Sequence, residues 1–162
     1  RLDEDLNDLF KVLESLEKSC PFDNVCIDSL SELEKSMLTV YGRLGKNDGA
    51  PELAHYNRTQ FKIADICRRF RSLDTNVIFT AWESSSEHIH PSGEKYTQAR
   101  PMLSGKCADT ICGLCDIVGR LEIGAKDDNV GKRYLRLEAS PVVVAKDRIY
   151  KRKFCTTDKL LG

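Results

Sequence analysis

The run Asp23-Asn24-Val25-Cys26-Ile27-Asp28-Ser29 constrains this chain more than any other stretch. It is too short for a buried helix, its Val and Ile favour a pleated strand, and its flanks are polar, so it reads as a strand buried on both faces. The run stops abruptly at a carboxylate and a hydroxyl, which puts Asp28 at the strand's carboxyl end. In an open parallel α/β sheet, ligands bind in the crevice outside those ends. A carboxylate and hydroxyl there either hold Mg²⁺, usually through water, or make an ordinary structural turn.

What surrounds this strand must fit in 162 residues, enough for one domain with a real core. Apolar residues make up 41% and charged residues 31%, the balance of a globular protein. No run approaches the ~18 apolar residues that span a bilayer, and the first residues, Arg-Leu-Asp-Glu-Asp, are acidic where a signal peptide is basic and then apolar. The expectation is a soluble, cytoplasmic protein with no membrane partner. The seven cysteines are odd in number and several sit in apolar periodic segments (Cys26, Cys67, Cys112), which suits buried thiols better than a disulfide frame. Cys107, Cys112 and Cys115 cluster downstream of His88 and His90, but on a helix Cys107 is rotated about 140° from Cys112. No second pair completes a tetrahedral set for zinc. A net charge of zero gives the whole molecule no long-range pull on nucleic acid. The distribution is uneven, however: acids crowd residues 1–34, while Arg133, Arg136, Lys146, Arg148, Lys151, Arg152 and Lys153 make a basic C-terminal part. Those cations are either a solvated edge or a surface for phosphate or for a neighbour's acids.

Leu6, Leu9, Phe10, Leu13 and Leu16 predict a helix over residues 3–19, with Pro21 beyond its end. After Ser29, Leu30, Leu33, Met37, Leu38 and Tyr41 mark a second helix closed by Gly42 and Gly45. Lys46 to Pro51 is a loop. From His55, the spacing of Tyr56, Phe61, Ile63, Ala64, Ile66, Cys67 and Phe70 predicts a long third helix. Asn76 to Glu83 reads as a second buried strand ending in a carboxylate, so helices between strands predict a parallel sheet with right-handed crossovers. Residues 84–103, with three serines, two histidines, Pro91, Gly93 and Pro101, read as a long loop of the kind that is functional or disordered. A short helix is expected over Gly105–Cys115. A hairpin of strands Asp116–Ile123 and Lys132–Ala139 follows, turning through Asp127-Asp128-Asn129, and then a strand Pro141–Ala145 that delivers Lys146-Asp147-Arg148.

In order, these features resemble the RecA-like ATPase core, and more closely the phage-type nucleotide-binding recombination ATPases of that superfamily. The residues that carry the resemblance are Asn24 to Leu30, Asn76 to Glu83, Gly105-Lys106, Asp116 to Leu121 and Lys146-Asp147-Arg148. It implies a single three-layer α/β core, a mainly parallel sheet with a C-terminal antiparallel hairpin, and ATP and Mg²⁺ as cofactors. Asp28 corresponds to the Walker B acid that holds hydrated Mg²⁺, with Ser29 beside it. Glu83 falls where the superfamily has a polar residue that senses the γ-phosphate; many relatives have Gln there. Residues 84–103 fall where RecA-like recombinases have a DNA-binding loop, with Lys95, Tyr96, Arg100 and Lys106 as its contacts. Lys146 and Arg148 resemble the Lys-x-Arg pair that reaches into a neighbour's nucleotide site in ring- or filament-forming relatives.

One departure is plain. No Gly-x4-Gly-Lys-Ser/Thr phosphate loop occurs in these residues, since Gly45-Lys46 and Gly105-Lys106 lack both the spaced glycine and the following hydroxyl. The expectation is that this part, and the acid that polarises the attacking water, precede residue 1. Two functions remain: an ATPase that assembles on single-stranded DNA in recombination or replication, or a RecA-like scaffold that does not hydrolyse ATP.

Overall fold

Leu9, Phe10, Leu13 and Leu16 recur every three or four residues and fold as helix α1 (Leu2–Lys18), in a computed structural model that describes residues 2–124 and 131–161. The described chain forms two units: residues up to Trp82 with Pro101–Leu114, and Glu83–Arg100 with the residues from Cys115 on.

In the first unit, β1 (Asn24–Ile27) pairs in parallel with β2 (Asn76–Phe79), with Val25 opposite Val77 and Ile27 opposite Phe79. Paired residues share a face, so these four side chains pack together against the buried cluster of Leu13, Ile66, Phe70 and Leu73. Cys26, on the other face, is exposed. The strand is therefore covered on one face, not two: Val25 and Ile27 point into the core while Asn24 and Cys26 point out. Helices α2 (Leu30–Leu44) and α3 (Leu53–Arg71) follow β1. Gly42 lies inside α2 because a Cβ there would collide with the Gly49 carbonyl oxygen; the helix ends at Gly45. Helix α3 starts at Leu53, ahead of the expected His55, because Glu52 and His55 form a reciprocal cap in which the Glu52 N–H donates to His55 Nδ1 at 3.0 Å. Its buried stripe is Thr59, Ile63, Ala64, Ile66, Cys67 and Phe70, and Phe61 lies outside it, 79% exposed. Arg69 donates two hydrogen bonds of 2.8 Å to Glu17 and ties α3 to α1. Helix α4 (Cys107–Leu114) completes the unit.

The second unit is β structure. β3 (Glu83–Ile89) and β4 (Lys95–Pro101) form a two-stranded sheet across a five-residue connection, so the expected long loop is a hairpin. β5 (Ile117–Val118) pairs antiparallel with β8 (Lys146–Asp147), and β6 (Arg120–Ile123), β7 (Arg133–Arg136) and β9 (Phe154–Thr156) form an antiparallel sheet in the order β6-β7-β9. The β6–β7 hairpin follows the expected pair of strands, and its turn at Asp127, Asp128 and Asn129 lies outside the described residues. Pro141–Ala145 is not a strand. Val143 bridges Ala99 and Ser140 there, and Pro141 has no N–H to extend a ladder. The α/β class holds, but the mainly parallel central sheet does not. The described strands fall into four small sheets, and β1–β2 is the parallel ladder among them. Breaks at Gly119 and Pro141 keep the strands short.

Candidate functional site

The carboxyl ends of β1 and β2 meet in a small polar cluster. The Thr80 N–H donates to the Ile27 carbonyl at 3.0 Å and the Leu30 N–H to the Thr80 carbonyl at 2.9 Å, so both strands leave the sheet at the same level. Asp28 is exposed there, and Thr80 Oγ1 donates to its Oδ1 at 2.5 Å. The Asp28–Ser29 peptide bond is cis. Ser29 is buried and caps α2, its Oγ accepting from the Glu32 N–H at 3.3 Å. The amino end of α2, where the helix dipole favours anions, thus begins directly after the carboxylate. Thr80 was not expected at this site from the sequence; its signal was a hydroxyl where the apolar run of β2 stops.

Beneath this cluster α2 buries two polar side chains that periodicity alone assigns to the core. Ser31, 1% exposed, accepts from the Trp82 N–H and donates to the Met102 carbonyl, each at 2.9 Å, while the Met102 N–H donates to the Trp82 carbonyl at 2.7 Å. One hydroxyl therefore clasps the strand that leaves at Trp82 and the strand that returns at Pro101. One turn further, buried Glu34 accepts the Ser104 N–H at 3.0 and 2.9 Å and its hydroxyl at 2.7 Å. Burial, helped by the Glu34 charge, pushes the Cys107 thiol up to about 12.

The other expected residues lie mostly in the second unit. Glu83 does not end β2, which stops at Phe79; it opens β3 and accepts from Arg120 Nε at 2.6 Å and Nη2 at 3.0 Å. The hydrogen bond that Arg120 donates to Glu83 is the main cause of its raised pKa. On β4, Tyr96 and Arg100 share a face and Lys95 takes the other. The Tyr96 ring stacks on His88 at 5.5 Å between centroids. Lys106 belongs to the first unit, in the turn before α4. Lys146 stands on β8 opposite Val118. Arg148 lies beyond the strand, its Nη1 3.8 Å from Asp116 Oδ1. Between them, Asp147 is a hub: Oδ1 accepts from the Ile149 and Tyr150 N–H groups at 3.1 and 2.9 Å, and Oδ2 from Arg152 Nε at 2.7 Å. Burial opposes its ionisation, but these bonds prevail and hold its pKa below the usual carboxylate value.

A model of the AAA domain family matches residues 4–149. The chain belongs to the AAA domain family. Comparison with curated proteins and with solved structures returns no match. The match runs from α1 to Ile149, so Asp28, Glu83, Lys95, Tyr96, Arg100, Lys106, Lys146 and Arg148 fall within the AAA domain, and Tyr150 and Arg152 lie just beyond it. Asp28 suits the way Mg²⁺ is held in nucleotide sites, by one or two carboxylates with water and phosphate oxygens completing the shell. Its partner Thr80 occupies one oxygen of the carboxylate. Among the described residues no group of three or more His, Cys, Asp or Glu side chains is arranged to hold a metal, and no helix is long and apolar enough to cross a membrane.

Proposed function

We propose that this AAA domain binds ATP with Mg²⁺ at the carboxyl end of β1 and couples its hydrolysis to work on single-stranded DNA, in phage-type recombination or replication. The observation that carries the reading is the exposed Asp28 carboxylate, oriented by Thr80 at the strand end and followed at once by the amino end of α2. Bound there, Mg²⁺ neutralises triphosphate charge. Asp28 holds the hydrated ion, and Ser29 fixes the turn that presents it by capping α2. Glu83 responds to the γ-phosphate through its pair with Arg120. Lys146 and Arg148 reach the nucleotide of a neighbouring copy in a ring or filament, and Lys95, Tyr96, Arg100 and Lys106 meet the DNA.

Asp28→Asn tests this in the full-length protein. It removes one charge from the metal's shell at an exposed position, so hydrolysis should fall by about 10²-fold or more while the melting temperature barely moves. Wild-type turnover by the variant would contradict the reading. A non-catalytic scaffold is the second reading. It predicts no Mg-ATP binding by the full-length protein.

A further inference from the structure

Trp82 is the one tryptophan of the chain, and it is 47% exposed. An indole left this open forgoes much of the burial that usually stabilises it. Yet its support is rigid: its N–H is held by the buried Ser31 hydroxyl and its carbonyl by the Met102 N–H. Lys35, on α2, places Nζ 4.0 Å from the centroid of the ring. Met102, hydrogen-bonded to Trp82, is also exposed, at 38%. The group stands beyond the Asp28–Thr80 cluster, two residues along the chain from Thr80.

We propose that Trp82 and Lys35 form a stacking platform for single-stranded nucleic acid, the indole taking one unpaired base on the face opposite Lys35 and the Lys35 ammonium a flanking phosphate. The inference rests on the single-stranded DNA reading above and adds a contact in the first unit, outside the β3–β4 hairpin. A fixed aromatic face loses little freedom when a base stacks on it, and stacking needs no particular base because every base has a π-face. The Lys35 ammonium lies over one face of the ring, so the base stacks on the opposite face and the cation adds the electrostatic part of the contact. Bases paired in a duplex are already stacked and leave this platform unfilled.

The test uses the full chain, a fluorescein-labelled oligothymidylate of about 15 nucleotides, and its duplex with oligodeoxyadenylate. Anisotropy of the label reads binding, and indole emission reads contact at Trp82 without any substitution. Binding of the single strand should quench the indole, and the duplex should bind more weakly and quench less. Trp82→Ala should weaken binding about tenfold or more, Trp82→Phe should keep most of it, and Lys35→Ala should make the salt dependence shallower by about one unit. Single-strand binding with unchanged indole emission, or with full affinity in Trp82→Ala, overturns the platform and leaves the DNA reading standing. Equal quenching by duplex overturns stacking. Binding of neither probe overturns the platform and the DNA reading together, without touching the nucleotide site.

Discussion

Ser31→Ala is the substitution that most sharply tests how the first unit is held at its ligand edge. Ser31 is 1% exposed and its hydroxyl serves two backbone groups, accepting from Trp82 and donating to Met102 at 2.9 Å each. Alanine fills nearly the same volume, so the cavity cost is small and the loss is in hydrogen bonding. Each buried group left unsatisfied costs about 1–3 kcal/mol. Trp82 and Met102 are both partly exposed, so water replaces some of what is lost, and the total should be about 2–3 kcal/mol. Urea unfolding followed by the emission of the single tryptophan reads this directly, because the reporter sits on the clasp. The midpoint should drop with an unchanged slope, and the Trp82 amide should exchange faster than its neighbours in β2. A change under about 0.5 kcal/mol with Trp82 exchange unaltered would refute the clasp, since the lost bond energy is larger than that.

Asp147 has a depressed pKa in the folded state, so its contribution to stability is present above the unfolded carboxylate value of about 3.9 and is lost as pH falls through the lower folded value. The wild-type melting temperature should therefore fall more steeply below about pH 4 than that of Asp147→Asn, and parallel curves would contradict the hub. Cys107, held at about 12, should resist a thiol reagent at pH 8 in the folded protein and react on unfolding; rapid labelling of Cys107 in the native state would show that the α4 packing is wrong. Arg148→Ala should lower hydrolysis by about 10³-fold, and mixing it with Asp28→Asn on single-stranded DNA should restore activity where an intact site meets an intact Arg148. No recovery in assemblies confirmed by sedimentation would remove the role in trans.

The helices were legible because Leu9, Leu13 and Leu16, or Leu30, Met37 and Leu38, repeat with the helical period and nothing interrupts them. β1 was legible as a strand, though its single covered face was not, since Cys26 is as apolar in sequence as its neighbours yet points outward. Ala81 and Trp82 prolong the apolar run in the sequence and so carry the expected strand on to Glu83, which instead opens β3. The chain in fact leaves the sheet at Thr80, whose carbonyl and hydroxyl are taken by Leu30 and Asp28. The β3–β4 hairpin has no signature in the sequence because Glu83-Ser-Ser-Ser-Glu-His-Ile is polar at both phases of a strand, so no alternation betrays it. Asp28 stood out as a carboxylate after an apolar run. Its supports did not: Ser31 and Glu34 lie on the buried stripe of α2, where only the tertiary partners Trp82, Met102 and Ser104 reveal why polar residues are tolerated.

The central claim is that Asp28 holds the metal of a Mg-ATP site. Calorimetric titration of ATP into the full-length protein, with and without Mg²⁺ and in wild type and Asp28→Asn, tests it most directly. Mg²⁺ should tighten ATP binding to the wild type by about tenfold or more, and Asp28→Asn should lose most of that gain while still binding ATP without metal. A Mg²⁺ dependence that is the same in the two proteins would contradict it.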